Sequence, residues 1–163
     1  MSSIKIVADS TCDLSPELIR DYGITILPLN IVLDMTSYSD GEEISPDEIY
    51  VWAQANKRTP KTAAVAFDRA LALVKGMKEN QEEVIFIGIS SEMSTTCNVM
   101  RLVKEELEYD RMFIIDSRNL STGIGLQVLR AAQLAQEGRS AEEIIKEIEE
   151  ARDKVRASFV VER

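Results

Sequence analysis

Short apolar runs alternate along this chain with longer stretches in which apolar residues recur every three or four positions. The first pattern marks buried strands and the second marks helices packed on one face. Ile4–Ala8, Val84–Ile89 and Met112–Ile115 read as apolar strands. Ser15-Pro16-Glu17 is a helix start, with a serine cap, proline at the first helical position and an acid in the first turn. Gly23 ends that helix as a C-cap glycine. Ile24–Leu33 is extended and β-branched, and Pro28 inside it argues for an edge or a bulge because proline cannot donate to a ladder. Asp34–Gly41 reads as a turn, with Asp40-Gly41 its strongest signal. Ser45-Pro46-Asp47-Glu48 is a capping box that opens a helix through Asn56. Lys57–Ala64 is a polar loop around Thr59-Pro60-Lys61-Thr62, and Val65–Lys78 has helical spacing. Ser94–Glu108 and Leu120–Glu137 are helices that each follow a strand. Gly138 closes the latter, and Ser140 with Glu143 forms the capping box of a last helix of alternating acids and bases. Ala157–Val161 reads as the start of a further strand.

The resulting order, β-α-β-(turn)-α-loop-α-β-α-β-α-α, predicts an α/β fold: a mostly parallel sheet with helices on both faces, in a Rossmann-like three-layer arrangement. Strand ends of such a sheet gather along one edge, where ligands bind. Each apolar strand here runs into hydroxyl-bearing residues: Asp9-Ser10-Thr11-Cys12-Asp13, then Ser90 to Thr96, then Asp116-Ser117 and Asn119-Leu120-Ser121-Thr122-Gly123.

Composition narrows what that edge can do. The chain has 163 residues, enough for one α/β domain, and 45% are apolar, which predicts a globular protein. Its net charge of −9, from 19 basic and 28 acidic residues, argues against binding nucleic acid. There is no histidine, so a zinc site would need carboxylate ligands and a Ser/His/Asp triad is excluded. Cys12 and Cys97 lie in hydroxyl loops without metal or redox spacing and read as reduced, packed thiols. No cofactor and no metal is expected. The run Ile4–Ala8 is too short for a signal peptide and no stretch is long enough to span a membrane, so a cytoplasmic location is expected.

The individual loops leave two readings open. Ser94-Thr95-Thr96 stands where a helix begins, and unpaired N–H groups with the helix dipole favour an anion there. Those hydroxyls bind a carboxylate or phosphate, or Ser94 simply caps the helix. Thr59-Pro60-Lys61-Thr62 is either a second hydroxyl site beside a lysine or a surface loop. Asp9, Ser10 and Thr11 either cap the first helix or coordinate a ligand, and Asp116 with Ser117 can organise neighbouring N–H groups. Gly123-x-Gly125 is a weak dinucleotide signal, because Val128 stands where the third glycine belongs. Neither cysteine has a base to make it a nucleophile. The chemistry points to binding an anion rather than to turnover.

Taken together, Ile6-Val7-Ala8-Asp9-Ser10-Thr11-Cys12-Asp13-Leu14, Ile26-Leu27-Pro28-Leu29, Tyr38-Ser39-Asp40-Gly41 and Ile44-Ser45-Pro46 resemble the DegV family. Thr59-Pro60-Lys61-Thr62, Ser90 to Thr96, Ile115-Asp116-Ser117 and Ser121-Thr122-Gly123-Ile124-Gly125 continue the resemblance in order across the chain. It implies a protein of two α/β domains holding a long-chain fatty acid between them and presenting it to a fatty acid kinase. Residues 1–156 would be the first, lipid-binding domain and 157–163 the start of a second domain absent from this chain. The resemblance places the lipid carboxylate at Thr62 and Ser94, supported by Asp9, Ser10, Thr11, Thr95, Thr96, Asp116, Ser117 and Gly123. Phe67, Ile89, Met93 and Ile124 would line the apolar tunnel. The chain departs from the family pattern at Ala63-Ala64-Val65 and at Thr95-Thr96-Cys97.

Two other functions compete with lipid binding. One is an enzyme using Asp9, Asp116 and the Ser/Thr loops on a small phosphorylated or acyl substrate. The other is a degenerate member whose pocket has closed, to which Ala63 and Ala64 give some weight.

Overall fold

The apolar runs form the interior of a parallel sheet. A computed structural model describes residues 3–33, 36–39, 44–57, 61–119 and 122–161, with backbone alone given at 46, 61, 62, 122 and 153–161. The strands Ile4–Asp9 (β1), Thr25–Leu27 (β2), Glu83–Gly88 (β6) and Met112–Asp116 (β7) lie in the order β2-β1-β6-β7, all parallel. Helices cover both faces, as expected from the alternation of elements.

Side-chain alternation along the strands sorts the core into two halves. Ile6 and Ala8 of β1, Ile85 and Ile87 of β6, and Phe113 and Ile115 of β7 face one side. There they meet helix α5 (Thr122–Gln136) through Ile124, Val128 and Ala131, and helix α6 (Ala141–Val161) through Ile144 and Ile148. Val7, Val84, Phe86, Met112 and Ile114 face the other side. Helix α3 (Phe67–Glu79) meets them with Ala70 and Val74, and helix α4 (Thr96–Leu107) with Cys97, Met100 and Val103. β1 and β6 are buried on both faces and so carry near-continuous apolar sequence.

The helix signals hold locally. Helix α1 (Pro16–Asp21) starts at Ser15, whose Oγ accepts from Leu18 N at 3.3 Å, and ends before Gly23 at φ 63°. Helix α2 (Pro46–Asn56) carries the Ser45/Glu48 capping box. α6 carries its own, with Ser140 N donating to Glu143 Oε1 and Glu143 N to Ser140 Oγ, both at 3.2 Å.

Three expectations are corrected. The stretch Ile24–Leu33 is not one extended element: it splits at Pro28 into β2, an edge strand of the parallel sheet, and β3 (Asn30–Leu33), which belongs to a second sheet. That second sheet is antiparallel, in the order β4-β3-β5, with β4 (Thr36–Ser39) and β5 (Lys61–Ala63) drawn from stretches read as turn and loop. Their polarity hides them, since only the ladder to β3 makes them strands; Tyr38 packs with Ile49 and Trp52 of α2 against Ile31, Leu33 and Ile44. Finally, Ala157–Val161 is not a strand but the last turns of α6. Nothing in the helix from Ala141 onward breaks it, with neither proline nor glycine present, and continuing a formed helix costs far less than starting a new element. The signals at Asp40-Gly41 and Thr59-Pro60 lie outside the described residues, as do Leu120 and Ser121.

Close approach, not dinucleotide binding, accounts for Gly123 and Gly125. A Cβ on Gly123 would come 2.5 Å from Asn119 Oδ1, and one on Gly125 would come 2.6 Å from the Cys12 carbonyl oxygen. The second obstacle is backbone and cannot swing aside. Gly125→Ala is expected to destabilise the fold by about 1–3 kcal/mol, seen as a lower urea midpoint at an unchanged m-value.

Candidate functional site at the carboxyl edge of the parallel sheet

The carboxyl ends of β1, β6 and β7 lie side by side, with Ala8 opposite Ile87 and Gly88 opposite Asp116. Asp9 ends β1 with no exposed surface. Its Oδ1 accepts from Thr11 N at 2.8 Å and from the Thr11 hydroxyl, closing a 3-10 turn at Ser10–Cys12. Its Oδ2 accepts from Ile89 N at 2.6 Å, joining β1 to the loop after β6. The neighbouring Ser10 Oγ accepts from Leu29 N at 3.0 Å and holds the connection between β2 and β3.

The loop after β6 turns on Ser90, whose carbonyl accepts from Met93 N at 2.9 Å and Ser94 N at 3.1 Å. Ser94 then stands one residue before Thr95, the N-cap of α4. Thr95 is exposed and its side chain makes no cap bond; Ser94 Oγ instead accepts from Thr96 N at 3.2 Å. The hydroxyls of Ser94 and Thr96 are 2.9 Å apart, and Thr96 Oγ1 also accepts from Val65 N at 3.4 Å. Val65 follows β5, on which Thr62 sits with its Cα opposite Ile31. The start of α4 is thereby tied to the segment that carries Thr62. As at any helix start, the first-turn N–H groups have no acceptor within the helix, and together with the dipole they favour an anion.

The loop after β7 completes the edge. Asp116 accepts from Ser91 N with both oxygens at 3.3 Å and from Arg118 N at 2.9 Å. Ser117, fully buried, bonds the Asn119 backbone in both directions at 3.1 Å, and Gln127 Nε2 reaches the Ser117 carbonyl at 3.0 Å. Ser90, Glu92, Asp116 and Arg118 line a polar cavity of about 330 Å³. Among the described residues, no cluster of three or more Cys, Asp or Glu side chains could hold a metal ion, and no helix is long and apolar enough to cross a membrane.

Asp9, Ser10, Thr11, Ser94, Thr95, Thr96, Asp116 and Ser117 thus gather along one edge or in the loops leading from it, and Gly123 packs against Asn119 beside them. The apolar residues named for the tunnel are divided. Ile89 and Ile124 belong to the core half under α5, Phe67 packs on the half under α3 and α4, and Met93 is 58% exposed. Sequence reasoning passed over Gln127, whose one visible signal is an amide within the apolar run from Ile124 to Leu129, and Asn119, quoted in its loop but given no role.

The family of the chain follows from comparison. Residues 3–163 match the family model described as uncharacterised protein, DegV family. The chain belongs to the DegV family. A DegV domain-containing protein of Clostridium perfringens is 41% identical over 162 residues, covering 99% of this chain and 58% of the relative. Among solved structures, a fatty-acid-binding DegV family protein of Thermus thermophilus superposes with a TM-score of 0.85 at 31% identity, over 93% of this chain and 54% of the other. A stearic-acid-binding protein of Eubacterium ventriosum gives a TM-score of 0.80 at 27% identity, over 91% and 52% of the two chains. This DegV chain therefore spans a little over half the length of its relatives.

The two cysteines are buried, free thiols in this DegV fold. Cys97 Sγ lies 3.7 Å from the Ile89 carbonyl and 3.9 Å from that of Ile115. Desolvation, reinforced by the Asp116 carboxylate, pushes its pKa up from the ordinary 9.0 to about 12. Burial likewise raises that of Cys12. An unfolded thiol therefore loses its proton above about pH 9 while the folded Cys97 keeps it to about 12, and stability should fall as pH rises through that window. Chemical denaturation from pH 8 to 11 should show a smaller alkaline loss in Cys97→Ala; equal losses would assign the effect to other groups.

Proposed function

We propose that residues 1–156 are the first α/β domain of a two-domain fatty-acid-binding protein, and that 157–163 lead toward the second. The carboxylate of a long-chain fatty acid is held by Thr62 and Ser94, and its acyl chain runs into an apolar tunnel. The bound lipid is presented to a fatty acid kinase in the cytoplasm; the protein itself binds and does not turn over substrate. What carries this reading is the Ser94 hydroxyl at the start of α4, linked through Thr96 to the segment that bears Thr62. Hydroxyl donors beside a helix N-terminus suit a carboxylate. The fatty-acid-binding relatives share the fold over more than nine-tenths of this chain. Of the tunnel candidates, Ile89 precedes the hydroxyl loop and Met93 lies within it, and the exposure of Met93 makes it available to an acyl chain. The other two candidates, Ile124 and Phe67, pack on opposite faces of the parallel sheet.

The reading is tested on the full-length protein. Solvent extraction and mass spectrometry should recover a long-chain fatty acid from it, and none would be recovered if the reading is wrong. Replacing Thr62 and Ser94 together by alanine should weaken fatty-acid binding by about 1–3 kcal/mol. Unchanged affinity would move the carboxylate elsewhere. Residues 1–163 alone should bind far more weakly, since the other half of the tunnel would be missing.

A further inference from the structure

The loop that delivers Ser94 begins with consecutive backbone N–H groups, and each is held by a different neighbour. Ile89 N donates to Asp9 Oδ2 at 2.6 Å, Ser90 N to the Asn119 carbonyl at 3.0 Å, and Ser91 N to Asp116 at 3.3 Å. Asp9 comes from the strand on one side of β6 and Asp116 from the strand on the other. From there the Ser90 carbonyl receives Met93 N and Ser94 N, so the position of Ser94 is set by the loop's root. We infer that Asp9 and Asp116 are positioning residues for Ser94, gripping the root of its loop from both sides without touching the ligand. The inference rests on the reading that Ser94 holds a carboxylate.

The choice of acids supports this role. Two carboxylates beside an anion site would weaken it by repulsion if they faced the ligand. Here their oxygens are turned to backbone donors: Thr11 N and Ile89 N on Asp9, Ser91 N and Arg118 N on Asp116. The two oxygens of Asp9 serve different donors, so an amide there keeps the shape but has one acceptor oxygen where donors arrive from two directions. On Asp116, Oδ1 alone meets both Ser91 N and Arg118 N, so only removal of the side chain takes both bonds away. In Asp9→Asn, as in Asp116→Ala, a backbone N–H is left without its partner, and the loop root loosens on that side. The grip on Asp9 is fully buried and the grip on Asp116 is exposed, so the two substitutions should differ in size.

The test is a double-mutant cycle on palmitate affinity in the full-length protein. Asp9→Asn should weaken binding about tenfold and Asp116→Ala about threefold. In a Ser94→Ala background both losses should nearly vanish, because the group being positioned is gone. Equal losses with and without Ser94, or no loss with Ser94 present, would overturn the positioning role while leaving fatty-acid binding intact. If the unaltered protein binds no palmitate, the fatty-acid reading fails, and the positioning role fails with it. Should Asp9→Asn prevent folding, judged by near-ultraviolet circular dichroism, the Asp116→Ala variant decides the matter on the same cycle.

Discussion

A carboxylate with no exposed surface, at the end of an inner strand, must be met by hydrogen-bond donors or it costs the fold several kcal/mol. Asp9 is that group, and much of the carboxyl edge of the parallel sheet follows from satisfying it. One oxygen draws the chain after β1 into the tight turn that presents Thr11, and the other takes the first N–H beyond β6. The adjacent Ser10 then receives Leu29 N, just past Pro28, which has no N–H of its own to offer. A single buried acid thus registers the ends of β1 and β6, with the start of the second sheet attached through its neighbour.

The second sheet matters because it brings Thr62 into the picture. β5 is three residues long and, among the described residues, pairs with β3 alone, so its place depends on a strand some thirty residues earlier. It is connected onward to α4 by the Val65 N–H on Thr96 Oγ1, a bond across the interior between a loop and a helix start. The hydroxyl of Thr96 serves both Val65 and Ser94, which makes the two halves of the proposed carboxylate site parts of one network. Such networks are stiff when every member is satisfied. An anion site built this way is organised before its ligand arrives, which lowers the ordering cost of binding.

How much of this could be read from residues alone varied with the range of the interaction. The caps of α1, α2 and α6 were legible because donor and acceptor stand three residues apart, as with Ser45 and Glu48 or Ser140 and Glu143. β1 and β6 were legible because burial on both faces demands continuous apolar sequence. β4 and β5 were not, since Thr36–Ser39 and Lys61–Ala63 carry no apolar run and become strands only when β3 supplies the ladder. Gln127 escaped notice for a similar reason: its amide is placed by a bond to Ser117, ten residues away on another element. At the far end, Ala-Ser-Phe-Val-Val has strand-like content, yet the uninterrupted helix before it carries it along as helix.

The sequence by itself determined the fold class, the positions of most helices, the gathering of hydroxyl loops at one sheet edge and the absence of any histidine-based chemistry. Those follow from periodicity, local caps and residue types, which act over a few positions. Only the tertiary structure decided that Asp9 and Asp116 turn their oxygens to the backbone around Ser94, that Ser94 precedes the helix cap instead of occupying it, and that Gly123 and Gly125 serve close packing. Each of those depends on contacts between residues far apart in the chain, and no local pattern encodes the distance at which two strand ends and a helix start will meet.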